Sequence, residues 1–414
     1  MFVLHSLLGM AVLIAIAVLF SSNRRAINLR TVAGAFLIQV VLGALVLYVP
    51  LGRQVLMTVS EGVSKVISYG NEGVSFLLGG LVSDKMFEVF GGSGFVFAFR
   101  VLPMIVFFAA LVSVLYHIGV MGWLIRLIGG GLQKVLGTSK AESMSAAANI
   151  FVGHTEAPLV VRPFIKSMTR SELFAVMCGG LASVAGSVLS GYAQMGVPLP
   201  YLVAASFMAA PGGLLFAKLL VPETETVRTD SEMETFIDED EKPANVIDAA
   251  TSGAVTGAQL AICIGASLLA FVALIALVNG IIGGVAGWFG YEGLNLQMIL
   301  GWLFAPLAWL IGVPWNEAGI AGSLIGQKLV INEFVAYSEF VKYLSPESAV
   351  KLGETTQAII SFALCGFANI GSIAVLVGGL NLMAPSRRKE VAQLGLKALL
   401  AGSLSNLMSA VIAG

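Results

Sequence analysis

Two polar clusters interrupt apolar stretches of this sequence, and they contain the residues that could do chemistry. The stretch AANIFVGHTEAPLVVRPF, residues 147–164, carries Asn149, His154, Thr155 and Glu156. The stretch AGIAGSLIGQKLVINEFVAYSEF, residues 318–340, carries Asn332 and Glu333. A carboxylate in the middle of a membrane costs at least about 2.5 kcal/mol unless it is paired or hydrated. The two glutamates are therefore candidates for functional use if both stretches lie in a bilayer.

Two further apolar segments are interrupted in a similar way. The segment AIISFALCGFANIGSIAVLVGGL, residues 358–380, places Phe367, Asn369 and Ser372 near its middle. The segment AVMCGGLASVAGSVLSGY, residues 175–192, places Ser183 and Ser187 at a similar depth among glycines. Small residues in membrane helices usually serve close packing, and an asparagine can join two helices by a hydrogen bond. For Ser187 taken alone, packing is the default interpretation.

The composition indicates that the chain is a membrane protein. Of 414 residues, 57% are hydrophobic and 11% are charged, and the mean hydropathy is +0.91. A helix needs about 20 apolar residues to cross the hydrocarbon core, and many such runs are separated here by short polar breaks. The sequence therefore predicts an all-α polytopic membrane protein with no large soluble domain. A formal net charge of -1 with scattered basic residues gives no indication of nucleic-acid binding.

Basic residues in short loops predict the orientation of the chain. The first apolar stretch has no signal-peptide cleavage site, so we expect it to be retained as a span. Arg24, Arg25 and Arg30 follow it, and basic residues next to a span favour the cytoplasm. Basic loops recur at Arg126, Lys134 and Lys140, at Arg162, Lys166 and Arg170, and at Arg387, Arg388 and Lys389. We expect a multi-pass membrane protein with its N-terminus outside and its basic loops in the cytoplasm.

An acidic segment, PETETVRTDSEMETFIDEDEK at residues 222–242, divides the chain into two halves. It holds nine acidic and two basic residues and is predicted to be a cytoplasmic linker. Each half contains an Asn and a Glu in a broken apolar segment. Corresponding interruptions in two halves point to the binding site of a transporter with inverted repeats. Re-entrant hairpins are expected there, because open backbone persists at membrane depth only where protein covers it or a watery cavity adjoins it.

The side chains of the broken segments narrow the class of ligand. They offer two carboxylates, several amides and hydroxyls and an aromatic ring, but no Arg or Lys fork for a phosphate or carboxylate. We therefore expect a neutral, partly planar ligand that is rich in hydroxyl and N–H groups. A nucleoside fits, since its ribose hydroxyls can donate to a carboxylate and its base can hydrogen-bond to an amide or a Glu. A sugar or a polar amino acid fits less well.

Four motifs resemble the signature segments of one transporter family. GHTEAPL, VPWNEA, NEFVAYSEF and SFALCGFANIGSIA occur in this sequence. Together they resemble the bacterial sodium-coupled members of the concentrative nucleoside transporter family, and the similarity extends over essentially the whole chain. The resemblance implies a homotrimer with a central scaffold and a mobile transport domain in each protomer. It also implies eight transmembrane helices, interfacial helices and two opposed re-entrant hairpins.

The resemblance also implies a domain organisation. Residues 1–118 are expected to be mainly scaffold, and residues 119–221 to form the first half of the transport domain, with the first hairpin at about 143–165. The remaining parts are a linker at 222–245, a scaffold span at 246–290, and the second half of the transport domain at 291–414, with the second hairpin at about 315–345 and the final two spans.

Individual residues receive roles from the same motif matches. The base-binding positions fall on His154, Thr155 and Glu156 in the first hairpin, with Val188 providing an apolar contact from the next helix. The ribose-binding positions fall on Glu333, Asn369 and Ser372, with Phe367 beside them and Leu260 adding an apolar contact from the scaffold. A sodium ion is implied at the tip of the first hairpin, bound by the Asn149 side chain, the Val152 carbonyl, the Ser183 hydroxyl and carbonyl, and the Val184 carbonyl. Such oxygens without a carboxylate suit a weakly held monovalent cation.

Position 154 departs from the family's pattern, in which a Gln stands where this sequence has His154. Gln offers an amide donor and acceptor together, whereas a neutral imidazole offers one donor and one acceptor on opposite ring edges. The preference between purine and pyrimidine bases is therefore open. A further hypothesis is that His154 titrates near physiological pH and makes binding pH-dependent. Binding that does not change with pH would exclude it.

Three alternatives stay open at the level of sequence. A proton-coupled transporter of the same family would use His154, Glu156 or Glu333 as the proton carrier, and the oxygens of Asn149 and Ser183 argue against it. A channel would not need a pair of substrate hairpins. An intramembrane enzyme could use the two glutamates as acid and base, but nothing nearby indicates a phosphate, a metal or a lipid substrate.

Overall fold

The computed structural model describes residues 2–90, 95–227, 243–291, 293–345 and 348–414. Within these ranges all regular secondary structure is helical, as the composition predicts. Six of the described helical segments are long and apolar enough to cross a membrane, or seven if one bent pair counts as a single span. The number of eight transmembrane helices remains a prediction.

The helices are joined mostly by short connections. The first twelve are α1 (Phe2–Leu19), α2 (Leu29–Tyr48), α3 (Pro50–Leu78), α4 (Lys85–Phe90), α5 (Phe97–Arg100), α6 (Leu102–His117), α7 (Val120–Leu136), α8 (Lys140–Ala148), α9 (Arg162–Ile165), α10 (Arg170–Ala182), α11 (Gly186–Gln194) and α12 (Leu199–Leu220). After the acidic linker follow α13 (Val246–Trp288), α14 (Leu296–Leu310), α15 (Trp315–Val330), α16 (Glu333–Leu344), α17 (Glu354–Leu364), α18 (Ile370–Met383) and α19 (Arg388–Ala413).

The core is built from α10, α12, α17 and α19. The span of α10 and α11 and the span of α12 are each 94% buried, whereas the most apolar part of α13 is 6% buried. Large side chains such as Phe174, Phe216 and Phe362 are fully enclosed in this core. In a bilayer the association of such helices depends on close packing rather than on the exclusion of water. α1 and α2 pack on the same core, against α12 and α19.

α6 and α13 form a separate helix pair on the outside of the core. α13 has 43 residues, which corresponds to a length of about 65 Å, twice what a bilayer core of about 30 Å requires. Gly253 and Gly257 allow the two helices to approach closely, since a Cβ atom at Gly257 would lie 2.7 Å from the Cβ of Ala109. The helix occupies the range predicted for a scaffold span, and its scaffold role stays a prediction.

Two helices are interrupted at mid-length, one in each half of the chain. α10 ends at Ala182 before α11 begins, and α17 ends at Leu364 before α18 begins. The two interruptions contact each other, because the backbone N–H of Phe367 donates a hydrogen bond of 3.0 Å to the carbonyl of Ser183. Of the polar residues expected to break residues 175–192 and 358–380, Ser183 and Asn369 lie in these gaps, whereas Ser187 and Ser372 lie in the first turns of α11 and α18.

Two helix–turn–helix segments accompany the broken helices. Hairpin 1 comprises α8, a turn at residues 149–156, a 3₁₀ turn (Ala157–Val161) and α9. Hairpin 2 comprises α15 and α16, which are separated only by Ile331 and Asn332, and α15 is bent by 115° from α14. These bounds lie close to the predicted ranges 143–165 and 315–345. Their re-entrant course in a bilayer remains a prediction.

Hairpin 1 is anchored at its base by buried charges. Lys218 of α12 forms an ion pair with Glu142 of α8 and donates a hydrogen bond of 2.8 Å to the Ser171 hydroxyl of α10. The Ser139 hydroxyl caps α8, and Glu142 completes the capping box. This base therefore holds α8, α10 and α12 together at one end of the molecule.

The basic loops gather at that same end. The N–H of Ser22 donates to the carbonyl of Leu220 at the end of α12, and the hydroxyl of Thr31 donates to the carbonyl of Leu136. Arg387 donates to the carbonyls of Ile165 and Met168. The loops predicted to face the cytoplasm and the start of the acidic linker thus share one end of the structure, as a common orientation requires.

The packing of α7 on α8 generates the first testable prediction. A Cβ atom at Gly129 would lie 3.1 Å from the carbonyl oxygen of Ser143 in hairpin 1, whereas one at Gly130 would meet no atom within 4 Å. We expect Gly129→Leu to destabilise the protein by about 1–3 kcal/mol, because it overpacks the contact with α8. Thermal unfolding in detergent, with Gly130→Leu as the matched control, measures the difference. Equal unfolding temperatures for the two variants would contradict this packing.

Candidate substrate and cation site

The tip of hairpin 1 lies directly against α10. A Cβ atom at Gly179 would lie 2.9 Å from the Asn149 amide nitrogen, and one at Gly180 would lie 2.8 Å from the Cβ of His154. The carbonyl of Phe151 accepts a hydrogen bond of 2.9 Å from the N–H of Gly186 at the start of α11. Glycines on α10 therefore create the space into which the tip of hairpin 1 fits.

The residues predicted to bind sodium come together at this contact. The Ser183 hydroxyl donates to the Asn149 side-chain oxygen at 3.3 Å, and the Asn149 amide donates 2.9 Å to the carbonyl of Ser145. Val152 and Val184 are buried in the two segments that meet here. The side-chain oxygens of Asn149 and Ser183 lie together in a buried place with no carboxylate among the predicted ligands, a donor set that suits a monovalent cation.

The three residues predicted to contact the base differ in their surroundings. His154 packs edge-on against the ring of Phe367, with 4.7 Å between ring centroids, and neither of its buried ring nitrogens has a hydrogen-bond partner among the described residues. Thr155 is exposed. The Glu156 carboxylate accepts a hydrogen bond of 3.3 Å from the N–H of Gly153. His154 and Thr155 thus retain hydrogen-bonding capacity for a ligand.

Glu333 lies in a closed polar cluster between hairpin 2 and the two broken helices. The Tyr192 hydroxyl donates to one carboxylate oxygen at 3.1 Å, and the Asn369 amide donates to the other at 2.9 Å. The glutamate is 4% exposed and occupies the first turn of α16, where the helix dipole favours a negative charge. Hydrogen bonds from two helices therefore fix the orientation of this carboxylate.

The two asparagines near Glu333 also cap helices. The Asn332 side-chain oxygen accepts a hydrogen bond of 2.9 Å from the N–H of Val335, and that of Asn369 accepts one of 2.7 Å from the N–H of Ser372. Each oxygen thus satisfies a backbone donor at the start of a helix. Asn369 joins the interrupted helix to Glu333, because its amide nitrogen remains free to donate to the carboxylate.

A cavity of about 870 Å³ adjoins hairpin 1. Its walls come from α6, the tip and end of hairpin 1, α11, α13 and α18. The lining residues include Tyr116 and His117 (α6), Phe151, Val152, Glu156, Arg162 and Lys166 (hairpin 1 and the residue after it), Ser187 (α11), Pro243 (before α13), Ser252 and Thr256 (α13), and Met383 (α18). The volume lies within the range of small-molecule sites. Because Pro243 and Lys166 belong to the end that carries the linker and the basic loops, the cavity extends toward that end.

The structure brings the predicted substrate residues into two adjoining groups. Glu156 lines the cavity, whereas Glu333, Asn369 and Ser372 are buried and do not line it. The contact between the rings of His154 and Phe367 connects the groups. Val188 is 1% exposed beside Ser187 of the cavity wall, and Leu260 of α13 packs against the core without lining the cavity.

Three polar residues in this region are absent from the sequence-based predictions. Tyr192 contacts Glu333 directly, and Lys328 of hairpin 2 donates to Asn406 of α19. Lys328 carries a detectable signal, since it is a charged residue inside the apolar stretch 318–340. Tyr192 and Asn406 carry none, because single polar residues near the ends of apolar helices are common.

Comparison with known proteins agrees with this architecture. Family models match residues 8–81 and 201–414, described as the N-terminus and C-terminus of Na+ dependent nucleoside transporters, and residues 98–199, described as a nucleoside recognition gate. The nucleoside permease NupC of Helicobacter pylori is 57% identical over 99% of this chain and 97% of its own. The chain belongs to the concentrative nucleoside transporter family.

Other family members support the same placement. An uncharacterized transporter of Haemophilus influenzae is 63% identical over 100% of this chain and 98% of its own. The structure of CNTnw in an inward-facing, substrate-bound state is 78% identical and superposes with a TM-score of 0.97 over 100% of this chain and 97% of that chain. A CNTnw variant in an outward-facing state is also 78% identical, with a TM-score of 0.98 over 100% and 98%.

Membership in the family settles the class of function. The protein is a multi-pass membrane transporter of nucleosides and not an enzyme. The sequence-based recognition of the family is confirmed. The alternative of an intramembrane enzyme that uses Glu156 and Glu333 is set aside.

The hydrogen bond from Tyr192 to Glu333 generates the second prediction. We expect Tyr192→Phe to weaken nucleoside uptake, raising its KM roughly tenfold, because a hydrogen bond to a charged group contributes about 1.5–3 kcal/mol. Tyr337→Phe is the matched control, since Tyr337 lies 4.5 Å from the Tyr192 ring but donates to the carbonyl of Ser361. Initial uptake rates in proteoliposomes measure the effect. A similar change in KM in both variants would mean that the effect does not arise from the loss of the hydrogen bond to Glu333.

Proposed function

We propose that this protein is a sodium-coupled nucleoside symporter. It imports nucleosides across a bacterial inner membrane, with its N-terminus outside and three copies forming a homotrimer. The observation that carries the sodium coupling is the buried contact between the Ser183 hydroxyl and the Asn149 side chain, at 3.3 Å. This pair of oxygens lies at the base of the hairpin tip that presents His154, Thr155 and Glu156.

The two groups of the site fit the two parts of a nucleoside. His154, Thr155 and Glu156 with Val188 supply hydrogen-bonding groups and an apolar wall for the base. Glu333, Asn369 and Ser372 with Phe367 supply a carboxylate, an amide and a hydroxyl for the ribose, and Leu260 approaches from the scaffold side. Ribose hydroxyls are donors, so a fixed carboxylate that accepts from them provides specific recognition.

Sodium and nucleoside are coupled through backbone hydrogen bonds. The segment that holds sodium is bonded to the start of α11 through Phe151 and Gly186, and to the ribose-binding segment through Ser183 and Phe367. A cation that stabilises this arrangement favours nucleoside binding, and nucleoside reciprocally favours the cation. Each sodium ion that moves inward gains about 2.3 kcal/mol per 100 mV of membrane potential.

Alternating access is expected to be an elevator-like movement of the core against α6 and α13. The cavity lies along this boundary, since its walls come from α6 and α13 on one side and from hairpin 1 and α11 on the other. The hairpins and broken helices hold the substrate groups together by hydrogen bonds. They can therefore move as one body while α6 and α13 stay in place.

Uptake into proteoliposomes is the decisive test of this function and the third prediction. We expect radiolabelled uridine to accumulate under an inward sodium gradient and not under an inward proton gradient without sodium. Asn149→Ala and Glu333→Ala should abolish the accumulation, because the first removes a sodium ligand and the second the ribose acceptor. Accumulation driven by protons alone would instead favour the proton-coupled alternative, with His154, Glu156 or Glu333 as proton carrier.

Two adjacent glycines of α10 provide the fourth prediction. Gly179→Ala crowds Asn149, whereas Gly180→Ala crowds His154. We expect the first variant to raise the sodium concentration for half-maximal uptake severalfold, and the second to raise the KM for the nucleoside at saturating sodium. Each variant serves as the control for the other, because the substitutions are identical and one residue apart. Identical effects on both quantities would mean that the two functions are not separated as proposed.

A further inference from the structure

A buried lysine in hairpin 2 has no role in the site described so far. Lys328 lies on α15, five residues before Glu333, and is 2% exposed. Its ammonium donates a hydrogen bond of 2.8 Å to the Asn406 side-chain oxygen of α19. A lysine is costly to bury in an apolar interior unless other groups balance its charge. The groups that surround Lys328 therefore indicate which negative charges its ammonium balances.

Asn406 connects Lys328 to both interrupted helices. Its amide nitrogen donates 2.7 Å to the carbonyl of Ala182 and 3.0 Å to the carbonyl of Cys365. Ala182 is the last residue of α10, and Cys365 directly follows α17. Carbonyls at a helix C-terminus carry partial negative charge. The asparagine thus links the ammonium of Lys328, through hydrogen bonds, to the C-terminal ends of two helices.

Glu333 contributes a buried carboxyl group to the same region. It follows Lys328 by five residues in hairpin 2, both side chains are almost fully buried, and opposite charges attract strongly in an interior of low dielectric constant. Backbone carbonyls and C-terminal ends of discontinuous helices are the groups that coordinate a metal cation in many transporters. In this structure a side chain of the protein supplies the positive charge to that environment.

We propose that Lys328 is a tethered cation, which takes the place of a second ion from solution. Its ammonium balances Glu333 and the ends of α10 and α17, so that only the contact of hairpin 1 with α10 requires sodium. Lys328 is a positioning residue, because it acts on the nucleoside site through Asn406 and Glu333. The inference rests on the proposed sodium symport and adds to it a prediction about the number of sodium ions that are linked to nucleoside binding.

The test measures how many sodium ions are linked to nucleoside binding. Uridine association constants of the purified full-length protein are determined over a range of sodium concentrations, and the slope of the double-logarithmic plot gives the linked ions. We expect Lys328→Met to increase this slope by about one relative to the unchanged protein, because the vacated site recruits sodium. Lys328→Arg, which keeps the charge, should leave the slope unchanged.

Lys218→Met is the matched control for the loss of a buried lysine. Lys218 is 6% exposed, but it pairs with Glu142 at the base of hairpin 1 and not with the Glu333 cluster. Its removal should leave the slope at the value of the unchanged protein. An unaltered slope in Lys328→Met, as in Lys218→Met, would overturn the tethered cation. A slope of zero in the unchanged protein would instead refute sodium symport. The role of Lys328 is tested separately, by the difference in slope between Lys328→Met and the unchanged protein.

A second measurement decides the inference if Lys328→Met does not fold or does not bind uridine. Thermal unfolding is compared for Lys328→Met, Glu333→Gln and the double variant, without sodium or nucleoside. We expect the double variant to recover at least half of the unfolding temperature lost in Lys328→Met, or to be folded where the single variant is not, because both charges are removed together. Losses that simply add would contradict charge balance between the two residues.

Discussion

Open backbone groups in an apolar interior impose the constraint on which the rest of this structure depends. Helices α10 and α17 stop in the middle of the core, and the N–H and C=O groups exposed there have no water to bind. Side chains and neighbouring segments satisfy them: the Asn369 oxygen caps α18, and the Asn406 amide donates to the carbonyls of Ala182 and Cys365. The polar residues of the broken segments therefore satisfy backbone groups, in addition to the ligand-binding role proposed for them.

The hydrogen bonds between these segments explain why the site can act as one unit. The N–H of Phe367 bonds to the carbonyl of Ser183, and the carbonyl of Phe151 accepts from Gly186. A ligand that stabilises any of these segments acts on all of them, because each segment completes the hydrogen bonding of another. The proposed coupling between cation and nucleoside therefore requires no large internal rearrangement of the core. The proposed elevator-like movement takes place at the boundary of the core with α6 and α13.

The buried charged residues also lie at the hairpins. The Lys218–Glu142 pair lies at the base of hairpin 1, where the basic loops also gather, whereas Glu333 and Lys328 lie deep in the core, each with hydrogen bonds to an asparagine. Glu156 differs from Glu333, since it lines the cavity. Two carboxylates that look equivalent in the sequence are thus in different environments, one open to a ligand path and one held between helices.

The sequence by itself determined the helical membrane class, the two broken segments in each half and the family, since hydropathy and short motifs are local properties. Asn149, Ser183, Glu333 and Asn369 could be singled out for the same reason: each is polar within an apolar run. Only the tertiary structure decided which groups meet. The contacts of Glu333 with Tyr192, and of Asn406 with Lys328 and Ala182, join residues that are 141, 78 and 224 positions apart. No local pattern specifies such pairs, because they depend on how distant helices pack around the same gaps.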